Sequence, residues 1–258
     1  MSFALESDRK LNRLIAALAL EPVLAHLPRP ARLALARKRY GWIDFLANLQ
    51  SERNGDQSLI ETEARNAIFI HIPKTGGISV AEGLFGSHAA AHTALYSYLA
   101  LYGARRFDAM FKFAIVRNPW DRVASAYHFL KAGGLTEADQ AFSETHMQGF
   151  ADLDDFVARG FERPEIRHWT HFKPQMLFLR DPRSGKIGVD YLGRFETLHA
   201  DYAQVAARLG IDTPLPHKNK GGARPKTGPG LSADSIARIG EIYAEDVAAL
   251  TYSAPTPA

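Results

Sequence analysis

The sequence contains no cysteine. That absence excludes disulfides, thiolate metal sites and a cysteine nucleophile together. Charge of one sign is also nearly lacking in excess: 31 Lys+Arg against 28 Asp+Glu leave a formal net charge of +3, too small to argue for nucleic acid by itself. Long apolar runs are missing too. Leu14–Leu20 is too short to cross a bilayer, and Pro22 follows it. No basic segment leads through an apolar run to a small-residue cleavage site, so the expected location is cytoplasmic. What is present is 258 residues, 46% apolar and 23% charged, a composition and length that suit a globular protein with a sizeable core.

Residues 1–60 read as a helical N-terminal extension. Leu11, Leu14, Ile15 and Leu18 recur on one helical face. Residues 29–39 carry Arg29, Arg32, Arg37, Lys38 and Arg39 and no acid, a pattern open to a peripheral membrane contact or to a plain solvated face. Residues 61–258 read as one α/β domain. Apolar runs at 67–72 and 111–116 predict strands, and 79–85, 93–102, 119–130, 197–209 and 232–249 predict helices. Strands alternating with helices predict a mainly parallel sheet flanked by helices. Residues 132–158 hold Glu137, Asp139, Glu144, Asp152, Asp154 and Asp155 without a Lys or Arg; they read as a surface loop entering a helix with an acidic first turn. Residues 213–230 are rich in Gly and Pro, with Lys218, Lys220, Arg224 and Lys226.

Two segments carry chemistry. His71-Ile-Pro-Lys-Thr-Gly-Gly-Ile-Ser79 follows a strand and opens a helix. Gly76 and Gly77 permit a tight turn, the helix start offers N–H donors and partial positive charge, and Lys74 adds a cation. Ser79 places a hydroxyl in the first helical turn, and together these make an anion cradle or, on the plainer reading, a tight strand-to-helix turn with an incidental lysine. The lysine precedes the glycines, unlike a Walker A loop, and no other apolar strand ends in an obvious Mg²⁺-binding Asp, so a kinase or NTPase loses weight. The second segment, Val116-Arg-Asn-Pro-Trp-Asp-Arg-Val-Ala-Ser-Ala-Tyr127, delivers Arg117 at a strand's C-terminal end, with Ser125 inside the following helix. Trp120 and Tyr127 read as packing residues; Asp121 and Arg122, which do not face each other, read as structural.

The pairing of IPKTGGIS with VRNPWDRVASAY resembles the two cofactor motifs of sulfotransferases that use 3′-phosphoadenosine 5′-phosphosulfate (PAPS), above all the carbohydrate-type group with the heparan and chondroitin enzymes and their bacterial relatives. The resemblance continues through 189–196, 215–219, Tyr243, Asp246 and Tyr252. Ile78 stands where threonine is common. The resemblance implies a P-loop-like nucleotide-binding fold. It also implies that the first motif (Lys74, Thr75, Gly76, Gly77, Ile78, Ser79) holds the 5′-phosphosulfate, and that Arg117 and Ser125 hold the 3′-phosphate. Asn219 and Lys220 lie in a loop near the nucleotide, within a basic stretch, 217–226, that could close as a lid.

PAPS is then the sulfate donor, no metal is called for, and the partner is a hydroxyl acceptor, a glycan or glycoconjugate, not nucleic acid. An acceptor hydroxyl must lose a proton, and a histidine suits that task. The resemblance places such a histidine about nineteen residues before the Phe-Lys-Phe of the second strand, which favours His92 as general base over His88. Lys74 would stabilise the leaving 5′-phosphate. His71 would support the cradle, and His171 and Gln175 would lie toward the acceptor. Two rival readings stay open: a Mg²⁺-dependent nucleotide kinase or NTPase, and a non-enzymatic binder of polyanions or membranes.

Overall fold

The computed structural model describes residues 59–86, 92–216 and 230–257. Residues 1–58 of the proposed extension at 1–60, the basic 29–39 stretch, His88, Asn219, Lys220 and the 217–226 loop therefore lie outside the described residues. Within them the chain runs α1 (Leu59–Ala64), β1 (Ala67–Ile70), α2 (Gly77–Phe85), α3 (Leu95–Tyr102), α4 (Ala104–Ala109), β2 (Phe111–Val116), α5 (Pro119–Lys131) and α6 (Glu137–Phe142), the last continuing into a π turn. It goes on through α7 (Leu153–Arg159), α8 (Pro164–His168), α9 (Met176–Leu179), β3 (Tyr191–Arg194), α10 (Leu198–Leu209), α11 (Ala233–Ile242) and α12 (Ala244–Ala249).

The three strands form one parallel sheet in the order β1-β2-β3. Alternate residues of a strand face opposite sides. Ala67 and Phe69 of β1, with Phe113 and Ile115 of β2, pack under α2 and α10 through Val80, Leu84, Tyr202 and Val205. Ile68 and Ile70, with Ala114 and Val116, pack against α3 and α9. Helices thus cover both faces, which explains why β1 and β2 read as continuous apolar runs rather than alternating ones. A further apolar cluster joins α5, α7 and α11 around Trp120, Tyr127, Phe156 and Ile239; Trp120 Nε1 donates to Ile236 O at 2.8 Å.

The register aligns Ile70 with Ala114 and Val116 with Arg194. The strand expected over 67–72 stops at Ile70, because Thr75 Oγ1 donates to Ile72 O at 2.9 Å and folds the chain into a turn. The helix expected over 232–249 breaks at Tyr243 (φ −108°, ψ 27°), whose hydroxyl donates to Phe172 O at 2.6 Å. Among the described residues no helix is long and apolar enough to cross a membrane.

Candidate active site

The three strands end on one edge, the place where ligands of parallel sheets gather. After β1 comes the turn 71–76. Lys74 has φ 68° and Gly76 has φ 79°. Left-handed backbone is easy for glycine but costs a side-chain-bearing residue about 1–2 kcal/mol, so Lys74 is held there by its surroundings: Arg117 Nη1 donates to Lys74 O at 3.0 Å. Gly76 caps α2 without a side-chain hydrogen bond, so no N-cap oxygen serves the donors that open that helix. The two glycines have separate uses. A Cβ on Gly77 would lie 1.9 Å from His71 Cδ2, and one on Gly76 would lie 2.9 Å from Leu198 Cδ2. Protein, not ligand, fills the space beside both. The Thr75 hydroxyl is likewise committed to Ile72.

After β2 comes Arg117, only 6% exposed. Its backbone is gripped twice by Gln175: Arg117 N donates to Oε1 at 2.9 Å, and Nε2 donates to Arg117 O at 2.8 Å. Gln175 is held in turn by fully buried Asp246, whose carboxylate accepts from the N–H groups of Gln175 at 2.7 Å and Met176 at 2.9 Å. One residue past β3, the Phe195 ring lies 4.3 Å from the Arg117 guanidinium. Asn118 then caps α5, its Oδ1 accepting from Trp120 N at 3.0 Å, with Pro119 at the first helical position. Glu196 and Tyr252 brace the same corner: Glu196 accepts from Asn118 N at 2.8 Å and from Tyr252 OH at 3.0 Å. Half-buried Ser125 sits one turn before Phe129 on the same face of α5. The Phe129 ring lies 3.6 Å beneath Lys74 Nζ, so that face looks onto the cradle.

Three histidines meet beside Lys74. The His92 ring lies 4.4 Å from that of His71 and 5.4 Å from that of His171. His92 Nδ1 is 3.2 Å from His71 O. A carbonyl only accepts, so Nδ1 carries the hydrogen and Nε2 keeps the lone pair. His71 thus contributes its carbonyl to His92 and its ring to the wall over Gly77. Burial, then the neighbouring His71 and His171, hold His92 well below the usual histidine pKa. Burial, reinforced by Arg117 and opposed by Asp139, lowers Lys74 to about 8. A neutral imidazole and a cation of reduced pKa therefore stand side by side, a pairing typical of reactive sites.

Arg117 bonds the Lys74 backbone directly, His92 lies within electrostatic reach of Lys74, and Ser125 is on the adjoining helix face. His171 and Gln175 belong to the same network, Gln175 as the clamp behind Arg117. Arg122 has the structural role expected of it, donating to His171 O at 3.1 Å and Lys173 O at 2.7 Å. One reading is corrected. Asp139 is not a surface-loop acid but 6% exposed, and it binds His171 Nε2 at 3.0 Å. Phe129 is a second residue that the sequence did not single out. Neither contact has a local signature, since the partners lie tens of residues apart. Among the described residues, no three His, Asp or Glu side chains converge as metal ligands.

A family model described as "Sulfotransferase family" matches residues 89–253, more than half of the chain. The match takes in His92, Arg117, Ser125, Gln175 and Asp246 and begins beyond the cradle at 72–79. Searches of curated proteins and of solved structures find no match.

Proposed function

The chain belongs to the sulfotransferase family, and from that premise we propose that it moves a sulfuryl group from PAPS to a hydroxyl of a carbohydrate acceptor. When bound, the nucleotide supplies the sulfuryl group and departs as adenosine 3′,5′-bisphosphate. The observation that carries this reading is the joining of two motifs at one sheet edge: the guanidinium of Arg117 bonds the backbone of Lys74, and the ammonium of Lys74 stands near His92. Two cations at a helix start without a side-chain cap are the donor set an anionic nucleotide needs.

In this reading Lys74, with the opening N–H groups of α2 from Gly77 to Ser79, faces the 5′-phosphate and meets the charge that develops there. Arg117 and Ser125 hold the 3′-phosphate and set the donor's position. Asn219 and Lys220, outside the described residues, would be further nucleotide contacts on the family resemblance. His92 takes the acceptor's proton at Nε2, while Nδ1–H stays on His71 O and fixes the ring. A sulfuryl group bears less negative charge than a phosphoryl group, so lysine and arginine suffice without a metal.

The direct test offers labelled PAPS to a panel of oligosaccharides and other alcohols. Label should reach a hydroxyl of at least one acceptor. His92→Ala should abolish turnover while adenosine 3′,5′-bisphosphate still binds; near-normal turnover in that variant would remove His92 as the base.

A further inference from the structure

The Asp139–His171 pair takes no part in building the cradle, yet both residues are buried, each 6% exposed. A carboxylate only accepts, so His171 Nε2 carries the hydrogen toward Asp139. The other Asp139 oxygen accepts from the N–H groups of Leu135 and Thr136, each at 3.3 Å, and Thr136 Oγ1 accepts from Asp139 N at 3.1 Å in a capping box. The aspartate is anchored on several sides. His171 is anchored on one: its Nδ1 is buried with no hydrogen-bond partner among the described residues. The pair is therefore joined through His171 Nε2 alone.

The His171 ring meets His92 edge-on at 5.4 Å and Phe129 at 5.0 Å, and Phe129 carries Lys74 on its other contact. The titratable and charged groups around the pair are Lys74 from the cradle, His92 from the segment before α3 and Arg122 from α5, with His71 behind His92. Each is cationic or becomes so on protonation; Asp139 alone of this set is negative.

We propose that Asp139 and His171 form a positioning pair for proton transfer at His92: Asp139 fixes the His171 tautomer and supplies the negative charge that lets His92 become an imidazolium beside Lys74. The proposal rests on the reading of His92 as base. In the step, the acceptor O–H bond breaks and its proton passes to His92 Nε2, the acceptor oxygen forms the new bond to sulfur, and the bond from sulfur to the 5′-phosphate oxygen breaks, so that adenosine 3′,5′-bisphosphate leaves with that electron pair. No proton moves to His171 or Asp139. Asp139 is the group that raises Lys74 against burial and Arg117, so its charge is felt on the donor side as well.

The test is calorimetric titration of adenosine 3′,5′-bisphosphate into the full chain across pH, with His tautomers read by ¹H–¹⁵N spectra. In wild type, affinity should fall about tenfold between pH 7 and pH 9 as Lys74 loses its proton. In Asp139→Asn that fall should begin roughly half to one pH unit lower, and the His171 Nε2–H signature should be lost. His171→Gln can still donate to Asp139, so it should keep the wild-type pH limb while label transfer drops at least tenfold. An unchanged limb and tautomer in Asp139→Asn, or full transfer activity in His171→Gln, overturns the pair while leaving the family reading intact. No bisphosphate binding by wild type overturns both.

Discussion

At the scale of single residues, the site is built from positions that break local preference. Lys74 occupies left-handed backbone, and its ammonium sits on an aromatic face, where burial lowers its pKa to about 8. The sign follows directly. Bisphosphate binding should be complete below that value and weaken as pH rises through it, because the anion needs the protonated amine. Lys74→Arg keeps its charge to far higher pH, so its binding curve should stay flat to about pH 10. A matching loss in wild type and Lys74→Arg would show that another group sets the limb. Gly77 is constrained differently: a Cβ there would overlap the His71 ring, displacing the carbonyl support of His92. Gly77→Ala should cost about 1–3 kcal/mol in urea unfolding and reduce transfer sharply; wild-type stability would show that the ring moves aside freely.

The turn at Gly76 and Gly77 was legible in the sequence because tight turns before a helix use few residue types. Asp139 was not. A lone acid in an acidic stretch looks solvated, and only its distant partner at position 171 makes it a buried ion.

At the scale of elements, the sheet edge does the positioning. β1, β2 and β3 end side by side, so Lys74, Arg117 and Phe195 follow from register alone. The strand Phe111–Val116 was legible to the residue, since its apolar run is bounded by Met110 and Arg117 and buried on both faces. The strand after 67 was read two residues too long, because His71 and Ile72 are apolar or aromatic but have left the ladder. Helix 93–102 starts two residues later than expected, as Ala94 is still extended (φ −75°, ψ 152°).

Two clamps then lock the element ends. Gln175→Ala removes both side-chain bonds to the Arg117 backbone. It should weaken bisphosphate binding about tenfold, equivalent to roughly 1.4 kcal/mol, in the same calorimetric titration. Asp246→Ala strands two buried N–H groups and should cost about 2–4 kcal/mol of unfolding free energy, a larger effect on stability than Gln175→Ala. The reverse order would contradict the view that Asp246 supports the clamp.

At the scale of the whole molecule, the near-neutral balance of charge conceals its arrangement. Buried Arg117 and half-buried Lys74 converge at one edge, whereas acids such as Glu137 and Glu144, in the stretch after α5, are exposed. The missing cysteine fits the proposed site, whose groups would be Lys74, Arg117, Ser125 and His92. Fold class and both motifs could be read from the sequence because strand periodicity and turn chemistry are local. The histidine cluster and the clamp behind Arg117 could not, because they join segments far apart along the chain.

In the proposed function, the cradle and Arg117 together recognise a nucleotide bearing both a 5′ and a 3′ anion. That recognition is tested most directly by titrating adenosine 3′,5′-bisphosphate, adenosine 5′-phosphate and ATP–Mg²⁺ into wild type and Arg117→Ala. Wild type should bind the bisphosphate at least tenfold more tightly than either other ligand, and Arg117→Ala should erase most of the preference over adenosine 5′-phosphate. Tighter binding of ATP–Mg²⁺, or an equal loss for both adenosine ligands in Arg117→Ala, would contradict it.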